Sequence, residues 1–252
     1  MAAKKVDIKR ALKVNRVLWN LFYILLVVTV AVLCFLYVFL VRDITIIGNS
    51  RFTADDLIRL TGLAYKESML LVDKDQITEN LQSNPFIVVE DITRRWPCSV
   101  QITVRERNAV ALSEHLGTYV LLDAEGIVLN CDAQVLRDQL CHVTGWTVES
   151  CTAGQLLGTA SGSHLAAYSA VATQLERFNL YYQVRTIDVT DVLHITLTMR
   201  DGMLVRLGDA QDMTMKMTWL SQMLTELPAD GYSGGTLDLS SGNSAAYRPE
   251  QE

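Results

Sequence analysis

The sequence predicts an α+β protein in which one membrane-crossing helix precedes two β-rich domains. Three observations predict it. Residues 21–41 carry no charge, a β-α-α-β-β order of local signals follows directly, and beyond residue 109 hairpin signals alternate with two helical stretches.

The uncharged run, LFYILLVVTVAVLCFLYVFLV, has Thr29 as its only clearly polar residue over 21 positions. At 1.5 Å per residue a helix of that length reaches roughly 31 Å, the thickness of a bilayer's hydrocarbon core. Trp19 and Tyr23 at one end and Tyr37 near the other suit the headgroup level. A core helix this long would carry a polar face. A cleaved signal peptide would be shorter and end on small residues, whereas this run exits through FLVRD. The segment is therefore expected to remain as an anchor. Lys4, Lys5, Lys9, Arg10, Lys13 and Arg16 precede it with only Asp7 among them, and Arg42 and Asp43 cancel beyond it, so the basic side is expected in the cytoplasm.

The chain has 22 Lys+Arg against 28 Asp+Glu, and beyond residue 16 the net charge falls to −11. Nucleic acid and anionic headgroups are poor partners for such a surface. About 210 residues are exported on this reading, enough for two cored domains. Cys34 lies in the span. Of the others, Cys131, Cys141 and Cys151 stand ten residues apart, which points to one local disulfide whose pairing stays open, since four exported cysteines with Cys98 allow three connectivities. No CxxC metal or redox motif occurs.

In the first exported domain, Ile44 to Ile47 reads as a strand ended by Gly48-Asn49. Thr53 three residues before Asp56 is a weak capping box, with Leu57, Ile58 and Leu60 as the apolar face and Gly62 as the stop. Asp73 with Gln76 opens a second helix carrying Ile77 and Leu81, and Asn84-Pro85 ends it. Residues 86–96 are β-rich, Pro97, Cys98 and Ser99 make a turn, and Val100, Ile102 and Val104 alternate with polar residues as on a half-buried strand. This order is that of a POTRA domain.

The stretch NPFIVVEDITRRWPCSVQITVRERNAVA, residues 84–111, resembles the exported part of the FtsQ/DivIB family of bacterial cell-division proteins. The resemblance lies in Pro85-Phe86 opening the second strand, Trp96-Pro97 closing it, Val104 to Arg107 ending the third, and Ala111. Downstream, LLDAEGIVLN (121–130) matches the family's Asp-x-x-Gly hairpin, and VTGW (143–146) stands where the family often has Pro-x-x-Gly, here without the proline. With the basic tail and single span, the likeness covers nearly the whole chain.

In the second domain, residues 119–122 and 127–130 flank a Gly-containing turn, and Asp201-Gly202 joins Ile195/Leu197/Met199 to Met203/Val205/Leu207, a strong hairpin signal. Residues 163–180 form one helical candidate, with Leu165, Tyr168, Ala172, Leu175 and Phe178 at helical spacing. Residues 211–227 form another, with Met213, Met217, Leu220, Leu224 and Leu227 on one face before Pro228. The methionine stripe reads as core packing rather than an adaptable binding face. Lys216 falls where the family commonly has a lysine opening this helix; its chemistry alone reads as a solvated charge.

The resemblance implies a docking edge for a partner's segment in the C-terminal strand region, carried onto Thr236, Leu237, Asp238, Leu239, Ser240 and Ser241, with Asp238 the clearest motif match. A strand edge can accept a partner strand through main-chain hydrogen bonds. Tyr247, amphipathic and near this edge, reads either as an anchor or as a surface aromatic in a terminal tail.

No Ser-x-x-Lys, Gly-x-Ser-x-Gly or His-Glu-x-x-His occurs. His115, His142, His164 and His194 are scattered, with His194 exposed on a strand and the rest in loops or at a helix start. Asp73 and Asp75 begin like a calcium loop, but Ile77 takes a ligand position and no glycine follows. No catalytic, cofactor or metal residue is assigned. A membrane-anchored wall enzyme and a POTRA component of an export pore are the alternatives. The first lacks local signatures; the second needs a C-terminal series of barrel strands.

The resemblance implies a non-enzymatic scaffold at the septum of the cell membrane, holding FtsB-like (DivIC) and FtsL-like bitopic partners and coordinating septal wall synthases, with no cofactor. The expected divisions are a cytoplasmic tail over residues 1–16, a span over 17–41, a POTRA-like domain over 42–108, a second β domain over 109–246, and a tail over 247–252.

Overall fold

The computed structural model of the chain describes residues 2–133, 140–229 and 234–249. The chain divides into two compact units, residues 1–81 with 89–105, and residues 82–88 with 106–252.

The first unit opens with α1 (Ala2–Val38), whose apolar part, Trp19–Val38, is long and apolar enough to cross a membrane and lies outside any core. The predicted run continued to Val41, but the helix stops earlier. Val41 is buried in the folded unit, its backbone paired with Lys66 and Glu67. β1 (Asp43–Ile47) follows, then α2 (Ala54–Thr61) and α3 (Lys74–Gln82), then β2 (Ile87–Arg95) and β3 (Ser99–Glu106). β3 lies between β1 and β2, pairing in parallel with β1.

Local chemistry sets these bounds. The Thr53 hydroxyl accepts the Asp56 N–H at 3.2 Å, which caps α2, and Gly62 ends it at φ +72°, a left-handed position where glycine meets no Cβ clash. The Asp73 carboxylate accepts the Asp75 and Gln76 N–H groups at the start of α3. Alternation on β3 buries Val100, Ile102 and Val104, and the two helices bury Leu57, Ile77 and Leu81.

The second unit holds β4 (Ala111–His115), β5 (Thr118–Leu122), β6 (Val128–Asn130), β7 (Cys141–Thr144), β8 (Val148–Ser150), β9 (Gly158–Thr159), α4 (Gly162–Arg177), β10 (Val184–Asp188), β11 (Ile195–Met199), β12 (Leu204–Gly208), α5 (Met213–Ala229), β13 (Thr236–Asp238) and β14 (Ala246–Arg248). Its main sheet runs β14-β13-β12-β11-β10-β7-β4-β5-β6, and β8 and β9 pair separately. Hairpins join β4 to β5, β5 to β6, β10 to β11 and β11 to β12. β4 with β7, β7 with β10 and β12 with β13 pair in parallel, and α4 and α5 span the last two steps, as parallel strands require a crossover.

Both helices contribute to the core formed with one sheet face, through Tyr168, Val171 and Leu175 on α4 and Met213, Met217 and Leu220 on α5. The methionines are core. α5 continues two residues past the expected stop, through Pro228 to Ala229. Leu112, Leu121 and Leu129 form a smaller cluster of their own; Leu112 alternates with Ala111, which faces the main core. The VTGW turn is built on close approach: a Cβ on Gly145, at φ +99°, would lie 2.1 Å from the Thr190 backbone nitrogen. The Trp146 indole N–H then donates to Ser113 at 2.8 Å.

Candidate functional site

The site is the C-terminal end of the main sheet. β12 leads through α5 into β13, which lies parallel to β12 in the register Val205↔Leu237 and Arg206↔Asp238. The chain then turns and returns as β14, antiparallel to β13, with Asp238↔Ala246, Leu237↔Tyr247 and Thr236↔Arg248 opposed. Alternation sends Val205, Leu237 and Tyr247 toward the core and sets Arg206, Thr236, Asp238 and Arg248 on the other face.

The turn between these strands is held from within. The Asp238 carboxylate accepts the Ser240 N–H at 3.0 Å and the Ser240 hydroxyl at 2.7 Å. These bonds, with the Arg206 and Arg248 charges, hold the Asp238 carboxyl below the usual carboxylate range. The Ser241 hydroxyl donates to the Ser244 carbonyl at 3.2 Å. Beside this turn, a hollow of about 260 Å³ opens between His194, Thr196, Arg206, Gly208, Asp238 and Ser240.

Two expectations change here. The segment from Thr236 to Ser241 is not the edge: β13 is flanked by β12 and β14, Leu237 and Leu239 are fully buried, and Ser240 and Ser241 belong to the turn. The edge strand is β14, which includes the start of what the sequence predicts as a tail; residues 250–252 lie outside the described residues. Tyr247 is neither outward nor loose. Its ring rests on the core and its hydroxyl donates to the Gly234 carbonyl at 2.9 Å, so it fastens β14 down. Ala246, Arg248 and Arg206 belong to this end of the sheet as well. The one available signal was the inward aromatic between two outward residues in Ala-Tyr-Arg.

The sheet's other end is covered. The Val128 N–H of β6 donates to the Gln155 carbonyl and the Gly154 N–H to the Val128 carbonyl, both at 2.8 Å, while the Leu157 N–H donates to the Gly126 carbonyl at 3.0 Å. A Cys131–Cys151 disulfide fastens the approach to this cover. Cys141 remains a buried thiol that donates to the Val110 carbonyl at 3.2 Å. Burial pushes it up to about 12, against the opposing pull of Arg200. At β14, among the described residues, no further strand lies alongside.

Lys216 is not solvated. It is 2% exposed, and its Nζ donates to the Asp209 carbonyl at 2.8 Å and carboxylate at 3.1 Å. That bond, with the Gln211 N–H, holds the Asp209 carboxyl below its ordinary range. The histidines stay apart. His115 and His142 sit on β4 and β7 rather than in loops, and exposed His194 bonds Asp191 at 2.7 Å. Among the described residues, no three His, Cys, Asp or Glu side chains are grouped to hold a metal.

The family model described as "POTRA domain, FtsQ-type" matches residues 39–107, and that described as "Cell division protein FtsQ/DivIB, C-terminal" matches residues 109–240. The chain belongs to the FtsQ/DivIB family of cell division proteins. Cell division protein DivIB of Clostridium tetani (strain Massachusetts / E88) is 21% identical over 197 residues, covering 78% of this chain and 74% of that protein. FtsQ of Anaeromyxobacter sp. (strain K) is 27% identical over 211 residues, 79% and 67% of the two chains. FtsQ of Bradyrhizobium diazoefficiens is 28% identical over 91 residues, and there the match spans 27% of the relative's length. The C-terminal family match ends at residue 240, so it includes β13 and stops before β14.

Proposed function

We propose that this FtsQ/DivIB-family chain is a non-enzymatic, bitopic scaffold of the division septum, with its N-terminus in the cytoplasm and both units outside. It binds FtsB-like (DivIC) and FtsL-like bitopic partners and so helps coordinate septal wall synthesis.

One observation carries the reading. The two ends of the main sheet are treated differently: β6 is covered by its own chain, and β14 ends the sheet. A strand edge gives an extended segment a ladder of main-chain bonds. β14 is three residues long and followed by Pro249, which has no N–H, so the ladder is short and indiscriminate pairing is limited. Arg206, Asp238 and Arg248 beside it supply charges that select among partners.

The anchor supplies the rest of the mechanism. A protein and partners that each carry one span share a thin layer, which raises effective concentration and lets short ladders suffice.

The test is removal of residues 245–252, which deletes β14 and leaves β13. Co-purification of an FtsB-like partner with the full-length protein should be lost while membrane insertion is kept. Unchanged co-purification would exclude this edge as the docking site. A separate assay on peptidoglycan should find no turnover; turnover abolished by a point substitution would restore the enzyme reading.

A further inference from the structure

We propose that the first unit carries a membrane-contacting rim, formed by Leu70, Leu71 and Trp96, that enters the headgroup layer of the bilayer crossed by α1. The inference rests on α1 being a membrane span, and otherwise on the geometry where that helix ends.

α1 stops at Val38, and the next residues pair with 66–69. The Met69 N–H donates to the Phe39 carbonyl at 2.7 Å, the Val41 N–H to Glu67 at 2.8 Å, and the Lys66 N–H to Val41 at 2.8 Å, with Leu40 bridged antiparallel to Ser68. Because the pairing is antiparallel, residues 66–69 run back toward the helix end as residues 39–41 leave it. Leu70 and Leu71 come next, at the level where the helix ends. The Leu71 N–H donates to the Ser68 carbonyl at 2.9 Å, which turns the chain at that point.

Burial around this turn is divided sharply. Met69 and Val72 are buried, while Leu71 is 75% exposed and Leu70 49%. The turn between β2 and β3 comes to the same level. Trp96 is 53% exposed, with its ring edge-on to Phe39 at 5.5 Å between centroids. Arg94 on β2 donates to the Val72 carbonyl at 2.5 Å, joining the two turns. Two apolar tips thus flank the exit of the span.

Basic groups lie near these turns in the chain. Arg42 lies 4.7 Å over the Tyr37 ring and donates to the Tyr37 carbonyl at 3.3 Å, and Lys66 and Arg95 are exposed. Acidic neighbours are held locally, Glu67 by the Ala64 N–H and Asp43 by the Ser99 hydroxyl. Exposed leucine and tryptophan with Arg and Lys close by in the chain match the chemistry of a bilayer interface. Continuity with the span favours lipid over a protein partner, because the membrane already lies beside these side chains. Three contacts around the exit would also limit how far the first unit can tilt.

The test places a diazirine amino acid at position 71 of the full-length chain, reconstituted alone in vesicles of phosphatidylethanolamine and phosphatidylglycerol. Position 33 within the span is the positive reference, and position 79, exposed on α3, the negative one. After irradiation, mass spectrometry should find phospholipid adducts at 71 roughly tenfold above those at 79. Yields at 71 equal to those at 79, with adducts at 33 intact, would overturn the rim and leave the span standing. Cross-links from 71 to a second copy would overturn lipid as the occupant. Absence of lipid adducts at 33 would remove the span reading and the rim with it.

Discussion

Lys216 keeps a charge almost entirely out of water, which is tolerated only because Asp209 answers it with a carbonyl and a carboxylate. Lys216→Ala leaves that carbonyl short of a donor and opens a hole at the start of α5. It should cost about 2 kcal/mol of unfolding free energy, measured by denaturant titration of the purified chain; a change near zero would mean that the pair is not formed. Cys141 gives a second residue-level expectation. With its thiol pushed up to about 12 by burial, it should resist alkylation at pH 8 in the folded chain and react after denaturation, as mass spectrometry with iodoacetamide would read. Asp238 sets an acid limit on the C-terminal turn. Its folded-state pKa is depressed, so its contribution is present above the unfolded value of about 3.9 and is lost as pH falls through the folded one. Asp238→Asn should therefore lower the thermal midpoint at neutral pH and make no difference at the acid end, where the wild-type carboxyl is protonated too.

At the scale of elements, the disulfide and the two sheet ends belong together. Cys131–Cys151 closes a loop with a separation of 20 residues; in the chain-entropy picture such a bridge contributes about 3 kcal/mol. Cys131→Ser with Cys151→Ser should lower stability by about that much and speed amide exchange at Val128 and Gly154, whose bonds cover β6. Helices and hairpins were legible because their signals are local: Thr53 with Asp56, Asp201-Gly202, and the alternation of Val100, Ile102 and Val104. The edge was not, because it depends on pairing between distant segments. Nothing in Thr236-Leu237-Asp238 reveals that it lies parallel to β12, and a three-residue Ala-Tyr-Arg strand is too short to declare itself before its partner is known. The burial of Lys216 was not legible for a different reason: its partner Asp209 is near in sequence, but a lysine's burial depends on what closes around it.

For the whole molecule, the proposed orientation rests on the basic residues that flank the span. Six basic residues before the span, against Arg42 and Asp43 just beyond it, support the proposed cytoplasmic placement of the small end on the positive-inside rule. Replacing Lys4, Lys5, Lys9, Arg10, Lys13 and Arg16 with Gln should reduce the activity of a phosphatase that works only outside the cytoplasm, fused after residue 252. The most direct test of the scaffold reading is amide hydrogen exchange of the full-length protein in membrane vesicles, with and without an FtsB-like partner. The prediction is that exchange at β14 slows roughly tenfold or more on binding, with β6 unchanged. Binding that leaves β14 exchange unaltered and protects another surface would contradict it.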